Sequence, residues 1–286
     1  MKKSISVRAN GKEYEIPNSW ELLTSEQFLK LVELLPLMEN GQFPPGAIKC
    51  LFLCYLMKWD LKKIKRDEKV LENFMAIADQ LTFIFKEAEG KVVLDLCFCR
   101  QQLPILFIDR KAYYGYEINT DFQSLTCSLT ALQYIEARQL LDMGEASLPL
   151  LAAVLYCKGE YSSEKAQKLA QQFRKLPGNT LMAIALNFTA VNNFLFSKTE
   201  FSLLTKFAVQ PGSCSITTDA TDALYDLSKD GLGNARQVEQ MNVLTYLRIL
   251  RKKTIDGVKS LKASGMEVAK IATEVGLPID IINKIV

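Results

Sequence analysis

The stretch Tyr14-Glu15-Ile16, followed by the turn Asn18-Ser19-Trp20 and the run Leu23-Thr24-Ser25-Glu26-Gln27-Phe28, leads into Leu34-Leu35 and Met38. A related stretch begins at Tyr116: Tyr116-Glu117-Ile118, Asn119-Thr120-Asp121-Phe122, Leu129-Thr130-Ala131-Leu132-Gln133-Tyr134, Leu140-Leu141 and Met143. Further on, Met75-Ala76-Ile77-Ala78 with Thr82 is echoed by Met182-Ala183-Ile184-Ala185 with Thr189. Self-similarity at an offset of about 102 to 107 residues is far too long for a solenoid period and predicts a duplicated domain. The expected fold is α+β and predominantly α-helical. It has two duplicated β-hairpin-plus-helices modules, at 1–90 and 91–200, followed by a helical C-terminal region at 201–286.

Local signals fill in the first module. Ile5, Val7, Tyr14 and Ile16 alternate with polar residues on either side of Asn10-Gly11, a pair suited to the left-handed backbone of a type I′ turn, so 3–16 reads as a hairpin. Pro17 has no N–H for a ladder and ends the second strand. Thr24 with Gln27 three residues on is a capping box, and Phe28, Leu31, Val32 and Leu35 then fall on one helical face. Helices are expected over 47–58 and 67–87, joined by the charged run Lys62-Lys63-Ile64-Lys65-Arg66.

From Gly90 the period changes. Residues 91–99 and 104–109 read as strands, with 113–118 extending the sheet, and the helical period returns over 129–143, 147–158, 163–175 and 179–196. Beyond residue 200 no third copy is visible. Helices are expected over about 216–229 and 237–254, with breaks at Pro211-Gly212-Ser213 and Asp230 to Asn234. At the C-terminus Val268, Ala272, Gly276 and Ile282 hold the first, fifth, ninth and fifteenth positions of a helix-turn-helix template.

The totals narrow the function classes. The 286 residues are 49% hydrophobic and 23% charged, an ordinary globular composition, and a net charge of +3 is too small to argue for nucleic acid by itself. No apolar run is read as a membrane span, and Met1-Lys2-Lys3 leads into a strand-like pattern, so the chain is expected to be intracellular and unanchored. There is no histidine, which excludes imidazole catalysis and mixed zinc sites. The seven cysteines form no Cys-x-x-Cys, and Cys97 and Cys99 read as two small buried hydrophobes on one side of a strand.

No phosphate loop is present; Gly231-Leu232-Gly233 reads as a helix-ending loop. Ser162 and Lys165 have Ser-x-x-Lys spacing, but Ser163 reads as a helix cap. No catalytic, cofactor-binding or metal-ligating residues are assigned, and an enzyme is not expected. Arg248, Arg251, Lys252 and Lys253 are the candidates for nucleic-acid contact, yet the would-be recognition helix starts Ile279-Asp280-Ile281, a poor phosphate surface.

The segment Asn10-Gly11-Lys12-Glu13-Tyr14-Glu15-Ile16 with its helix opening Leu23 to Phe28 resembles the start of tail-assembly chaperones and related small tail-module proteins of bacteriophages. Tyr116 to Phe122 resembles the same signature, and Leu151 to Tyr156 with Tyr161 and the helix to Pro177 is similar to its continuation. The resemblance covers about the first 200 residues, and this chain departs from it in being duplicated and longer. It implies a non-enzymatic protein, without cofactor, that binds the long helical tape-measure protein during tail assembly in the host cytoplasm. A virion structural protein at the tail or head–tail junction fits equally. Under this resemblance, apolar grooves are expected beside the helices at 24–38 and 129–143, with Phe28, Leu31, Leu35, Tyr134 and Leu141 as partner contacts. A helix-turn-helix DNA-binding protein remains a further alternative.

Overall fold

The computed structural model describes residues 4–9, 11–64, 67–121, 124–204, 224, 227–229, 231 and 233–286. It is mostly helical, with four antiparallel two-stranded pairs among these residues. The chain forms two compact units, one of residues 1–103 with 176–190, the other of 104–175 with 191–286. These divisions do not fall at the expected boundaries of 90 and 200.

In the first unit β1 (Ser4–Ala9) pairs with β2 (Lys12–Pro17), placing Val7 opposite Tyr14. Thr24 then caps α1 (Ser25–Glu39): its hydroxyl accepts the Gln27 N–H at 3.2 Å while Gln27 Oε1 accepts the Thr24 N–H at 2.9 Å. Helices α2 (Pro45–Met57), α3 (Leu61–Ile64) and α4 (Glu68–Asp79) follow. The helix expected over 67–87 stops early. Phe85–Ala88 is instead β3, paired with β4 (Lys91–Leu94) around Glu89-Gly90, whose φ values of 53° and 75° make the left-handed turn a hairpin of this twist needs.

The strand expected over 91–99 also ends early, at Leu94. Residues 95–103 run on as an irregular strap that buries Leu96, Phe98, Gln102 and Leu103. Leu96 and Phe98 are buried in it, whereas Cys97 and Cys99, expected as buried hydrophobes, are only half-buried. Trp20 anchors this region. Its ring stacks on Phe98 at 5.3 Å and meets Phe83 edge-on at 5.2 Å, while its indole N–H donates to the Asp95 carbonyl at 2.7 Å.

A buried strap without ladder partners must find other hydrogen bonds. Asn187, on α8 (Gly178–Lys198), supplies two: its Oδ1 accepts the Gln102 N–H at 2.7 Å and its Nδ2 donates to the Arg100 carbonyl at 2.8 Å. Ser25 Oγ donates to the Gln102 carbonyl at 2.7 Å, and the Gln102 side chain donates to the Trp20 carbonyl.

The second unit opens on the hairpin of β5 (Ile105–Ile108) and β6 (Lys111–Tyr114). Tyr116-Glu117-Ile118 does not repeat the placement of Tyr14-Glu15-Ile16. The earlier triplet lies in the second strand of its hairpin, whereas Ile118 lies in β7 (Ile118–Asn119) and pairs forward with Cys127 of β8 (Thr126–Cys127). The capping box does recur: Thr130 Oγ1 accepts the Gln133 N–H at 3.2 Å and Gln133 Oε1 accepts the Thr130 N–H at 3.1 Å at the start of α5 (Ala131–Asp142). Here the glutamine is buried, and its Nε2 also donates to the carbonyls of Val154 and Cys157 at 3.1 and 3.2 Å, where α6 (Leu148–Leu155) ends. Helix α7 (Ser163–Phe173) is capped by Ser162, whose hydroxyl accepts the Lys165 N–H; Ser163, the expected cap, instead donates its hydroxyl to Glu136.

The C-terminal helices belong to this unit and are not an appendage. The helix expected over 237–254 is broken at Gln240–Asn242, between α9 (Ala235–Glu239) and α10 (Val243–Ala263). At the break the Ala131 N–H donates to the Met241 carbonyl at 2.7 Å, the Val243 N–H donates to the Leu129 carbonyl at 3.0 Å, and Asn242 Nδ2 reaches the Cys127 carbonyl at 2.6 Å. Helices α11 (Val268–Val275) and α12 (Ile279–Ile285) pack on the far half of α10 around Val258, Ile271, Leu277 and Ile282. The expected helix over 216–229 and the loop at 211–213 lie largely outside the described residues.

Two substitutions test these buried carboxamides. Asn187→Ala strands one N–H and one carbonyl at about 1–3 kcal/mol each, so urea unfolding of the first unit is expected to lose about 2–6 kcal/mol. Gln133→Ala is expected to cost more than Gln27→Ala, which removes only one reciprocal cap worth about 1 kcal/mol; equal losses would contradict the extra bonds at Val154 and Cys157.

Candidate partner-binding site

The three contacts expected on α1 are core residues. Phe28, Leu31 and Leu35 are buried, and the Phe28 ring lies 6.1 Å from Trp20 and 6.2 Å from Phe98. Phe98 of the strap meets Phe28 and α2 packs along α1, so among the described residues this apolar face is covered within its own unit. Of the aromatic residues beside chain breakers, Phe201 is fully buried and Trp59 stacks on Phe74 at 6.1 Å, while Phe43 is exposed.

Around α5 the arrangement is different. A cleft of about 510 Å³ opens between α5, Phe196 near the end of α8, and α10, and Tyr134, Ile135, Arg138, Tyr246 and Leu250 are among its lining residues. Tyr134 is a buried part of its wall, whereas Leu141 is half-buried and not part of the lining. A second cavity of about 590 Å³ lies farther along α10, lined in part by Leu203, Gly257, Val258, Leu261 and Val275, and the two share Leu204 and Thr254. One face of α10 therefore lines both: Tyr246, Leu250, Thr254, Gly257 and Leu261 recur at helical spacing. Gly257 leaves room there, since a Cβ at that position would meet no atom within 4 Å.

The electrostatics of the cleft are set by few groups. Arg138 lies 5.7 Å above the Phe196 ring and donates to the Tyr134 hydroxyl at 3.4 Å. Burial raises the Tyr134 phenol to about 12, against a smaller downward pull from Arg138, and burial alone raises Tyr246 to about 12. Behind α5, Glu136 accepts hydrogen bonds from Tyr161 and Ser163; burial and then that bond push the Tyr161 phenol upward.

The basic run on α10 is put to structural use. Arg248 Nε donates to Glu200 Oε1 at 3.1 Å, and Arg251 Nε donates to the Glu200 carbonyl at 3.1 Å. These two cations tie the 3-10 turn Glu200–Leu204 to α10, and Arg248 stays exposed while doing so. Lys252 is exposed, and Lys253 lines the cleft. Helices α11 and α12 are joined across a turn at Gly276, φ 72°, and Ile282 is fully buried, while α12 begins with exposed Ile279 and Asp280.

Ser162 and Lys165 form no nucleophile–base pair. Ser162 is a cap, and Lys165 Nζ donates to the carbonyls of Lys158 and Glu160. Among the described residues no group of three or more Cys, Asp or Glu is placed to hold a metal ion. One expectation needs correction: α8 contains an 18-residue window of mean hydropathy 1.3, enough by length and composition to cross a membrane. The polar residues Asn187 and Asn192 interrupt its letter pattern, and 56% of the window is buried inside the protein.

The sequence missed Asn187, Gln102 and the second role of Gln133. An amide set among apolar neighbours, Ala185-Leu186-Asn187-Phe188, was the available signal for Asn187.

The tyrosines give a pH prediction. In the unfolded chain a phenol ionises near 10, but Tyr134 and Tyr246 stay neutral to about 12 in the fold. Their contribution is therefore complete below about pH 10 and is lost as pH rises from there to about 12. The urea midpoint is expected to fall over that window, and to fall less in Tyr134→Phe; an equal fall in both proteins would contradict the assignment.

Comparison with protein-family models, curated proteins and solved structures finds no match to this chain.

Proposed function

We propose that this chain is a non-enzymatic assembly protein of a phage or prophage tail, binding a long helical, tape-measure-like partner through protein–protein contact. The observation that supports this reading is the open cleft between α5 and α10, whose apolar wall follows one face of α10. A cleft between helices with residues spaced four apart suits an amphipathic partner helix, which would set its own i, i+4 and i+7 side chains into it. The amphipathic hairpin and capped helix at the N-terminus, on which the resemblance to tail-assembly chaperones rests, form as expected. A helical protein of great length exposes many equivalent apolar stripes, so a modest site can act repeatedly along it.

A second reading, DNA binding through α11 and α12, has the Gly276 turn in its favour. Against it stand the engagement of Arg248 and Arg251 by Glu200 and the apolar start of α12.

Co-expression with a very long helical, tape-measure-like protein tests the proposal. Co-purification and improved solubility of that protein are expected, and Leu250→Glu is expected to weaken the complex at least about tenfold while leaving the circular dichroism unchanged. An unaltered yield of partner with and without this chain contradicts the proposal. Mass spectrometry of purified particles then separates an assembly factor, absent from them, from a structural component.

A further inference from the structure

The hairpin of β5 and β6 carries an open strand edge that the cleft does not use. Its turn is Asp109-Arg110, with φ values of 50° and 63°, and Ile108 pairs with Lys111 beside it. In a two-residue hairpin the closing pair is hydrogen-bonded, so the pairs alternate and Leu106–Tyr113 is bonded too. The backbone groups of Ile105 and Phe107 therefore point away from β6, and among the described residues they meet no hydrogen-bond partner. Their side chains are exposed as well, Ile105 to 43%, Phe107 to 71%, with Tyr114 across the hairpin at 45%.

Natural edges are usually guarded by charge. The hairpin of β1 and β2 is so guarded, by Arg8, Lys12, Glu13 and Glu15, and that of β3 and β4 by Lys86, Glu87 and Lys91. Ile105-Leu106-Phe107-Ile108 carries no charge at all. Apart from Asp109 in the turn, the charges on and against the hairpin share one sign. Lys158 Nζ sits 4.0 Å above the Tyr114 ring, Lys111 Nζ lies 5.3 Å from the Tyr113 ring, and Arg110 occupies the turn. None of these three makes an ion pair among the described residues, and the nearby Asp109 is taken by Lys175.

We infer that the β5 edge is a docking site for an extended, acidic segment of another protein, which adds a third strand to the hairpin. Main-chain bonds to Ile105 and Phe107 would hold it, alternate apolar side chains would cover Phe107 and Tyr114, and carboxylates on its other face would lie on the Lys111 side of the hairpin, with the positive surroundings of Arg110 and Lys158 favouring an acidic chain. A second copy of this chain fits less well, because it would bring the same three cations against themselves. The inference is independent of the α5–α10 cleft.

The probe is a fluorescein-labelled octapeptide alternating valine with glutamate, read by anisotropy on the full chain. Saturable binding is expected, at least tenfold tighter than for the same peptide with lysine in place of glutamate. N-methylation of alternate peptide bonds is expected to cost at least tenfold, a comparison that needs no protein variant. Phe107→Glu should abolish binding, and Leu250→Glu should leave it unchanged, which separates this site from the cleft. Absent binding, equal affinity for the acidic and basic peptides, or indifference to N-methylation would overturn the inference. So would a concentration-dependent dimer that Phe107→Glu dissolves, since it assigns the edge to self-association.

Discussion

Buried backbone that belongs to no helix or ladder has to be hydrogen-bonded by something else, and in this protein carboxamide side chains do it. Asn187 serves both an N–H and a carbonyl of the strap at 100–102, as a neighbouring strand would. In the second unit Gln133 receives the Thr130 N–H and donates twice to the end of α6, Asn242 holds the Cys127 carbonyl, and Gln240 donates to the Tyr161 carbonyl at 2.8 Å. A carboxamide has donors and an acceptor on one plane, so it can stand in for a peptide group, and unlike a carboxylate it carries no charge to desolvate. Without Asn187 the core around Trp20 would have to bury the strap's polar groups unpaired.

Signals of short range were legible in the sequence. The capping boxes at Thr24 and Thr130, the hairpin closed at Gly11 and the C-terminal turn at Gly276 depend on residues within a few positions of each other, and all take the expected form. Elements whose state depends on distant partners were not. Residues 95–99 have the alternating burial of a strand, with Leu96 and Phe98 buried, but among the described residues no strand pairs with them. The run over 237–254 has helical period throughout, yet the chain opens at Gln240–Asn242 because Leu129 and Ala131 claim its backbone groups. Helix α4 ends at Asp79, and Phe85–Ala88, expected to continue it, is instead a strand with a hairpin partner across Gly90.

The same division governs the candidate site. A helical face of apolar letters shows that a residue is covered, not by what. Phe28, Leu31 and Leu35 are covered by their own unit, while the corresponding surface beside α5 leaves a cleft that α10, far along the chain, completes. Arg248 and Arg251 looked like a surface patch because Glu200, their partner, is about fifty residues away. The recurring sequence signature thus leads to different surroundings: a filled face on α1 and an open one on α5. That difference leaves beside α5 the room for a partner helix on which the proposed tail-assembly role draws.

Native-state hydrogen exchange at the Gln102 amide tests most directly whether a side chain holds the strap. The account predicts that this N–H, though outside any helix or strand, exchanges about as slowly as the core helices of its unit. It also predicts that replacing Asn187 by alanine makes this amide exchange faster than those of the core helices. Rapid exchange at Gln102 in the unmodified protein would contradict it.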